Sequence, residues 1–103
     1  EGLAPGPQDI RLWHTGNSAF GRTELQDLLI ARGVTELAVM GLATQFSVEH
    51  TVRDAADLGW PVHVVEDCCI SADEPAHTAS LRLMRFLARV TTADALLRTA
   101  VGD

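Results

Sequence analysis

The sequence predicts an α/β fold, a three-layer α-β-α arrangement with a parallel sheet at its centre, and three observations carry that expectation. Four short runs, Ile10–Trp13, Leu37–Met40, Val62–Val65 and Arg89–Thr91, each precede a stretch that reads as helical. Gly33 and Gly59 close the first two of those stretches, as helix ends favour. Each strand is separated from the next by enough residues for a crossover helix, and crossovers between parallel strands are right-handed in nearly all cases.

Taken in order, Gly2 to Pro7 is a turn-rich entry, Ile10 to Trp13 alternates as a strand does, and His14 to Arg22 reads as a long loop. Thr23 with Gln26 three residues later makes a capping-box pattern, and Leu25, Leu28 and Leu29 form one apolar stripe of a first helix. The run Leu37-Ala38-Val39-Met40 is continuously apolar, as in a strand buried on both faces, and Gly41 ends it. A second helix runs from about Thr44 to Leu58, with Val48, Thr51, Val52, Ala55 and Leu58 facing inward. Val62 to Val65 is the next strand and Glu66 to Ser71 a loop. Asp73-Glu74-Pro75 opens a third helix, with acidic residues in its first turn and Leu83, Met84, Phe86 and Leu87 on its buried side. Arg89 to Thr91 forms a last strand, and Thr92 caps a helix over Ala93 to Ala100. Ligands of such sheets bind at the carboxyl ends of the strands, so the loops 14–22, 41–47 and 66–73 should converge there.

Composition narrows the function. A chain of 103 residues suits one domain, residues 1–103, with no room for a second. Its 14 acidic residues against 8 basic ones give a net charge of −6, which disfavours nucleic acid and anionic membranes as partners. No apolar run is long enough to cross a bilayer. All eight basic residues are Arg, so chemistry that needs a lysine amine is excluded within these residues. Cys68 and Cys69 are adjacent, a poor geometry for a mutual disulfide, and are expected as free thiols in a reducing, cytoplasmic setting.

The segment Gly41-Leu42-Ala43-Thr44-Gln45-Phe46-Ser47-Val48 places a hydroxyl in the first turn of a helix that succeeds a strand. Backbone N–H groups there can hold an oxyanion, and the helix dipole favours negative charge. This spacing alone is a weak signal, and on the residues alone the plainer reading is Thr44 as the helix cap with Ser47 a small polar residue packed near it. Three side chains of this helix, Ser47, His50 and Asp54, lie along one side of it, but residues stacked on one helix cannot easily surround a substrate.

The same segment, continued through Glu49, Thr51, Arg53-Asp54-Ala55 and Gly59, resembles the signature of the isochorismatase-like cysteine hydrolases, a family of nicotinamidases, N-carbamoylsarcosine amidases, ureide and biuret hydrolases and isochorismatase. Asn17-Ser18-Ala19-Phe20 is similar to a Ser-Ala-Phe loop of that family. Val64-Val65-Glu66-Asp67-Cys68-Cys69 resembles the family's next strand and loop, and His77 with the helix around Leu81 to Met84 resembles the pattern after it. The resemblance implies a Rossmann-like isochorismatase fold whose first strands are missing here, so a domain truncated at its N-terminus; the chain also opens on Glu1 rather than Met.

Carried over residue by residue, the resemblance puts Ser47 at the position of the nucleophilic Cys and His14 at that of the catalytic Lys. It leaves a catalytic Asp upstream of Glu1. A serine hydroxyl stays protonated where a thiol ionises, so Ser47 needs a base, and the His14 imidazole titrates in the right range but lacks a fixed charge. The resemblance also implies a cis Leu42–Ala43 bond and an oxyanion hole from the N–H groups of Ala43 and Ser47. Trp13, Phe20 and Phe46 are candidate walls of a substrate pocket. No His-x-His or Cys-x-x-Cys spacing is present, and neither metal nor cofactor is expected. The function implied is a hydrolase of a small C–N amide or ureide, or of a vinyl ether, acting on a small-molecule substrate as a homo-oligomer. The alternatives are a catalytically dead pseudoenzyme or interaction module, and a C-terminal fragment of a longer hydrolase with no function alone.

Overall fold

Apolar runs that alternate with helical stripes suit a parallel sheet with helices packed against it, and a computed structural model of the chain describes residues 4–102 in that form. Its elements are α1 (Leu25–Ala31), β1 (Leu37–Leu42), a π-helical turn (Thr44–Val48), α2 (Glu49–Asp57), β2 (Val62–Ile70), α3 (Glu74–Met84), β3 (Arg89–Thr91) and α4 (Ala93–Gly102). The strands lie in the order β1-β2-β3 and both pairs are parallel.

The core is built by the central strand and two helices. Val62 and Val64 of β2 meet Val52 and Ala55 of α2 and Leu81 and Met84 of α3, with Val48 and Cys69 completing the cluster. Val65 is equally buried but points to the other face, because successive strand residues alternate. On β2 lies α4, whose first backbone N–H, at Ala93, donates to Asp67 Oδ1 at 2.9 Å. With both faces of β2 covered, the layers run helix, sheet, helix, as the sequence predicts.

Helix ends obey their local chemistry. Asp73 Oδ1 accepts from the Ala76 N–H at 3.1 Å and Pro75 sits in the first turn of α3. Thr92 Oγ1 accepts from Ala95 at 3.2 Å. Gly33 lies just beyond α1 with φ +71°, a conformation only glycine adopts freely. The capping box at α1 is not formed: Thr23 accepts from Leu25 at 3.3 Å, but Gln26 Oε1 turns away to accept from Trp60 Nε1 at 2.7 Å. A tertiary bond to an indole has displaced the local one.

Four expectations are corrected. Ile10 to Trp13 is not a strand, because among the described residues β1 pairs only with β2 and no neighbour takes up its ladder groups. β1 itself is half-buried on one side and exposed on the other, with Met40 and Leu42 open to solvent. β2 continues through Glu66 to Ile70, the segment expected as a loop, since Gly41 pairs with Cys69 and Leu42 with Ile70. Of the residues expected inside α2 and α3, Leu58, Leu83, Phe86 and Leu87 are exposed. Phe86 and Leu87 lie past the end of α3, where the helical stripe no longer applies.

The β1–β2 ladder also slips. Two steps on β1, from Val39 to Gly41, face five on β2, from Val64 to Cys69. Gly41 takes φ +135° at the slip, a backbone region that disfavours any side chain, and the chain turns from there into the π-helical turn.

Candidate active site

At the carboxyl end of β1 the chain passes through a cis Leu42–Ala43 peptide bond, present as the resemblance implies, into the turn 44–48. Ala43 supplies the first carbonyl, which accepts from Phe46 at 3.0 Å and from Val48 at 3.3 Å. The longer reach, five residues, is the π-helical step. It puts Ser47 two residues before the regular helix, with its side chain partly exposed beside β1.

An open groove of about 460 Å³ runs along β1 and under the loop 14–20. Its lining is mostly apolar, from Phe20, Leu25, Leu29, Val39, Met40 and Leu42 among others, with His14, Ser47 and Thr51 the polar side chains. The loop is fastened to α2 where the Ala19 N–H donates to Thr51 Oγ1 at 3.0 Å, and it is closed on itself where Thr23 Oγ1 donates to the Ala19 carbonyl at 2.6 Å. Two of the three predicted loops thus meet. The third does not line the groove, because most of it belongs to β2.

His14 Nδ1 donates to the Gly16 carbonyl at 2.6 Å. A carbonyl only accepts, so the proton of the neutral ring is on Nδ1 and Nε2 keeps its lone pair. Ser47 Oγ donates to the Leu42 carbonyl at 3.0 Å. Trp13 is 84% exposed and Phe46 54% exposed; neither is part of the groove lining, whereas Phe20 is. The stripe Ser47, His50, Asp54 is not joined: His50 Nδ1 donates to the Phe46 carbonyl at 2.7 Å instead.

Sequence reasoning missed the support beneath the turn. Thr44 is completely buried, and its hydroxyl lies 2.8 Å from His77 Nδ1 on α3. Ser80, one turn further along α3, donates to Glu49 Oε1 at 2.6 Å and reaches the Thr44 carbonyl at 3.3 Å. Glu49 in turn accepts from Arg53 Nε at 2.9 Å. The signal available was Thr44 read as a cap; its true partner is 33 residues away.

Cys68 and Cys69 are both free thiols. Burial pushes the Cys69 thiol above its ordinary pKa, and Sγ donates to the Val65 carbonyl at 3.3 Å. Among the described residues no three His, Cys, Asp or Glu side chains cluster as metal ligands would.

The family model of the isochorismatase domain matches residues 1–95. The chain belongs to the isochorismatase family. An isochorismatase family protein from Desulfovibrio vulgaris superposes with a TM-score of 0.91 at 31% identity, covering 97% of this chain and 53% of that one. Among similar curated proteins, ureidoacrylate amidohydrolase RutB of Caulobacter vibrioides is 39% identical over 95 residues, 89% of this chain and 42% of its own length. Nicotinamidase 3 of Arabidopsis thaliana is 33% identical over 104 aligned positions, 100% of this chain and 52% of its own. This isochorismatase-family chain therefore spans about half the length of the relatives it matches.

Proposed function

We propose that the protein is an isochorismatase-family hydrolase of a small, uncharged amide or ureide, with Ser47 as nucleophile and His14 as base. The observation that carries this reading is that Ser47 and His14 line one groove, with the Nε2 lone pair of His14 left free. For the reaction, Ser47 Oγ leaves the Leu42 carbonyl, attacks the substrate carbonyl carbon and gives its proton to His14 Nε2. The carbonyl oxygen takes up negative charge, which the N–H groups of Ala43 and Ser47 would hold. The C–N bond breaks as His14 returns the proton to the leaving nitrogen, and water, deprotonated by His14, then releases the acid from Ser47.

The uncharged class rests on the lining, which among the described residues includes neither a carboxylate nor a guanidinium. A substrate carboxylate would find no guanidinium to pair with along this lining, so a carboxylate-bearing vinyl ether is a poorer fit than a neutral amide. Free Cys68 and Cys69 fit a reducing cytoplasm, and the open edge of β1 fits a homo-oligomer.

The test is ammonia release from nicotinamide, a neutral N-carbamoyl compound and a carboxylate-bearing ureide, with pyruvate release from isochorismate as the vinyl-ether arm. Turnover of a neutral substrate, reduced by about 100-fold or more in Ser47→Ala and in His14→Ala, is the expected result. A second reading rests on the Ser47 hydroxyl, whose proton goes to Leu42 rather than to a base: a binding module without turnover. Absence of turnover on every substrate would decide against the hydrolase, and full activity in Ser47→Ala would decide against Ser47 as its nucleophile.

A further inference from the structure

The turn that carries Ser47 has no side-chain cap of its own, since its N-cap is Ala43. What holds it comes from α3. Thr44 begins the turn, is fully buried, and its hydroxyl is bonded to His77 Nδ1 at 2.8 Å. Ser80 lies three residues after His77, on the same side of α3, and is 4% exposed. Its single hydroxyl proton serves Glu49 Oε1 at 2.6 Å first, as a carboxylate is the stronger acceptor, and its reach to the Thr44 carbonyl at 3.3 Å is the minor branch. One helix thus fixes the first residue of the turn by its side chain and its main chain, and fixes the first residue of α2 as well. A hydroxyl in such a place cannot turn to water if its partner is lost, so the turn must move to satisfy it.

We propose that His77 is a positioning residue: through Thr44 it sets the turn 44–48, and with it the placing of Ser47 and the Ala43 and Ser47 N–H groups. The inference rests on the proposed hydrolase for its kinetic consequence, but its structural consequence is separate. Ser80 supports the same turn from the main-chain side. None of these residues lines the groove.

The experiment combines hydrogen exchange with kinetics on the whole protein. Thr44→Val keeps the volume and removes the hydroxyl; His77→Ala removes the ring; His77→Asn can restore a polar atom near the Nδ1 position. Exchange of the amides of 44–48 should rise by about tenfold or more in Thr44→Val and in His77→Ala, with those of 52–57 unchanged, and should return toward wild type in His77→Asn. On whichever substrate is turned over, kcat should fall on the order of 10- to 100-fold with KM within about twofold, the signature of a misplaced reacting group. The double variant should be no worse than either single one, because both remove the same link. Unchanged exchange in the turn, a rise spread equally over α2, or kinetic losses that multiply in the double variant would overturn the proposal. If no substrate is turned over, the hydrolase reading fails by itself, and the exchange pattern alone decides for or against His77.

Discussion

The hydroxyls and thiols of this chain are told apart by what surrounds them. Cys68 and Cys69 are neighbours in sequence, yet Cys69 is buried and its thiol is raised by that burial. Unfolding exposes it and returns it to the ordinary thiol range of about 8.5. Above that range the unfolded chain has lost a proton that the folded chain still holds, so stability declines as pH rises through it. Urea unfolding at about pH 7 and about pH 9.5 should show this decline in the wild type, reduced in Cys69→Ala. Asp73 gives a second case: with its carboxylate on the Ala76 N–H, Asp73→Ala should cost about 1 kcal/mol, read as a lower urea midpoint. The cap at Thr92 and the opening of α3 at Asp73-Glu74-Pro75 were legible in the sequence, because a helix start is marked within three residues. The link from Thr44 to His77 was not, because nothing local marks a partner two elements away.

At the scale of elements, periodicity identified β1, α2, β2, α3 and α4, and it placed Val48, Val52, Ala55 and Met84 inside. It failed where an element depends on a neighbour. Ile10 to Trp13 alternates well but has no adjacent strand among the described residues, and the polar segment Glu66 to Cys68 is a strand because β1 runs alongside its end. Local composition cannot report either fact. The stripe that did hold has a measurable weight. Met84 is fully buried between α3 and β2, so Met84→Ala should lower stability by about 2–5 kcal/mol, with the denaturant midpoint moving and the slope unchanged. Phe86→Ala, at a side chain that is 87% exposed, should move the midpoint little.

For the whole molecule, the order β1-β2-β3 leaves one side of β1 without a hydrogen-bonded neighbour among the described residues, and the groove runs along that side. An unpaired strand edge beside apolar surface invites another chain. Sedimentation velocity across a range of concentrations should show association of this chain, and Met40→Lys, a charge placed on β1, should shift the distribution toward monomer. A monomer at all concentrations would contradict this expectation. The motif named Ser47 and His14 in the sequence, and both line the groove. Its walls were less so: Phe20 reaches the groove while Trp13 and Phe46 stand outside, since the facing of an aromatic side chain depends on packing that no motif records.

The bond from Trp60 to Gln26 gives the protein an optical reporter. Its two indoles sit in opposite surroundings, Trp13 84% exposed and Trp60 half-buried with its N–H held by α1. In Trp13→Phe, fluorescence would come from Trp60 alone, and a red shift in its emission would signal the departure of α1 from the β2 side of the molecule.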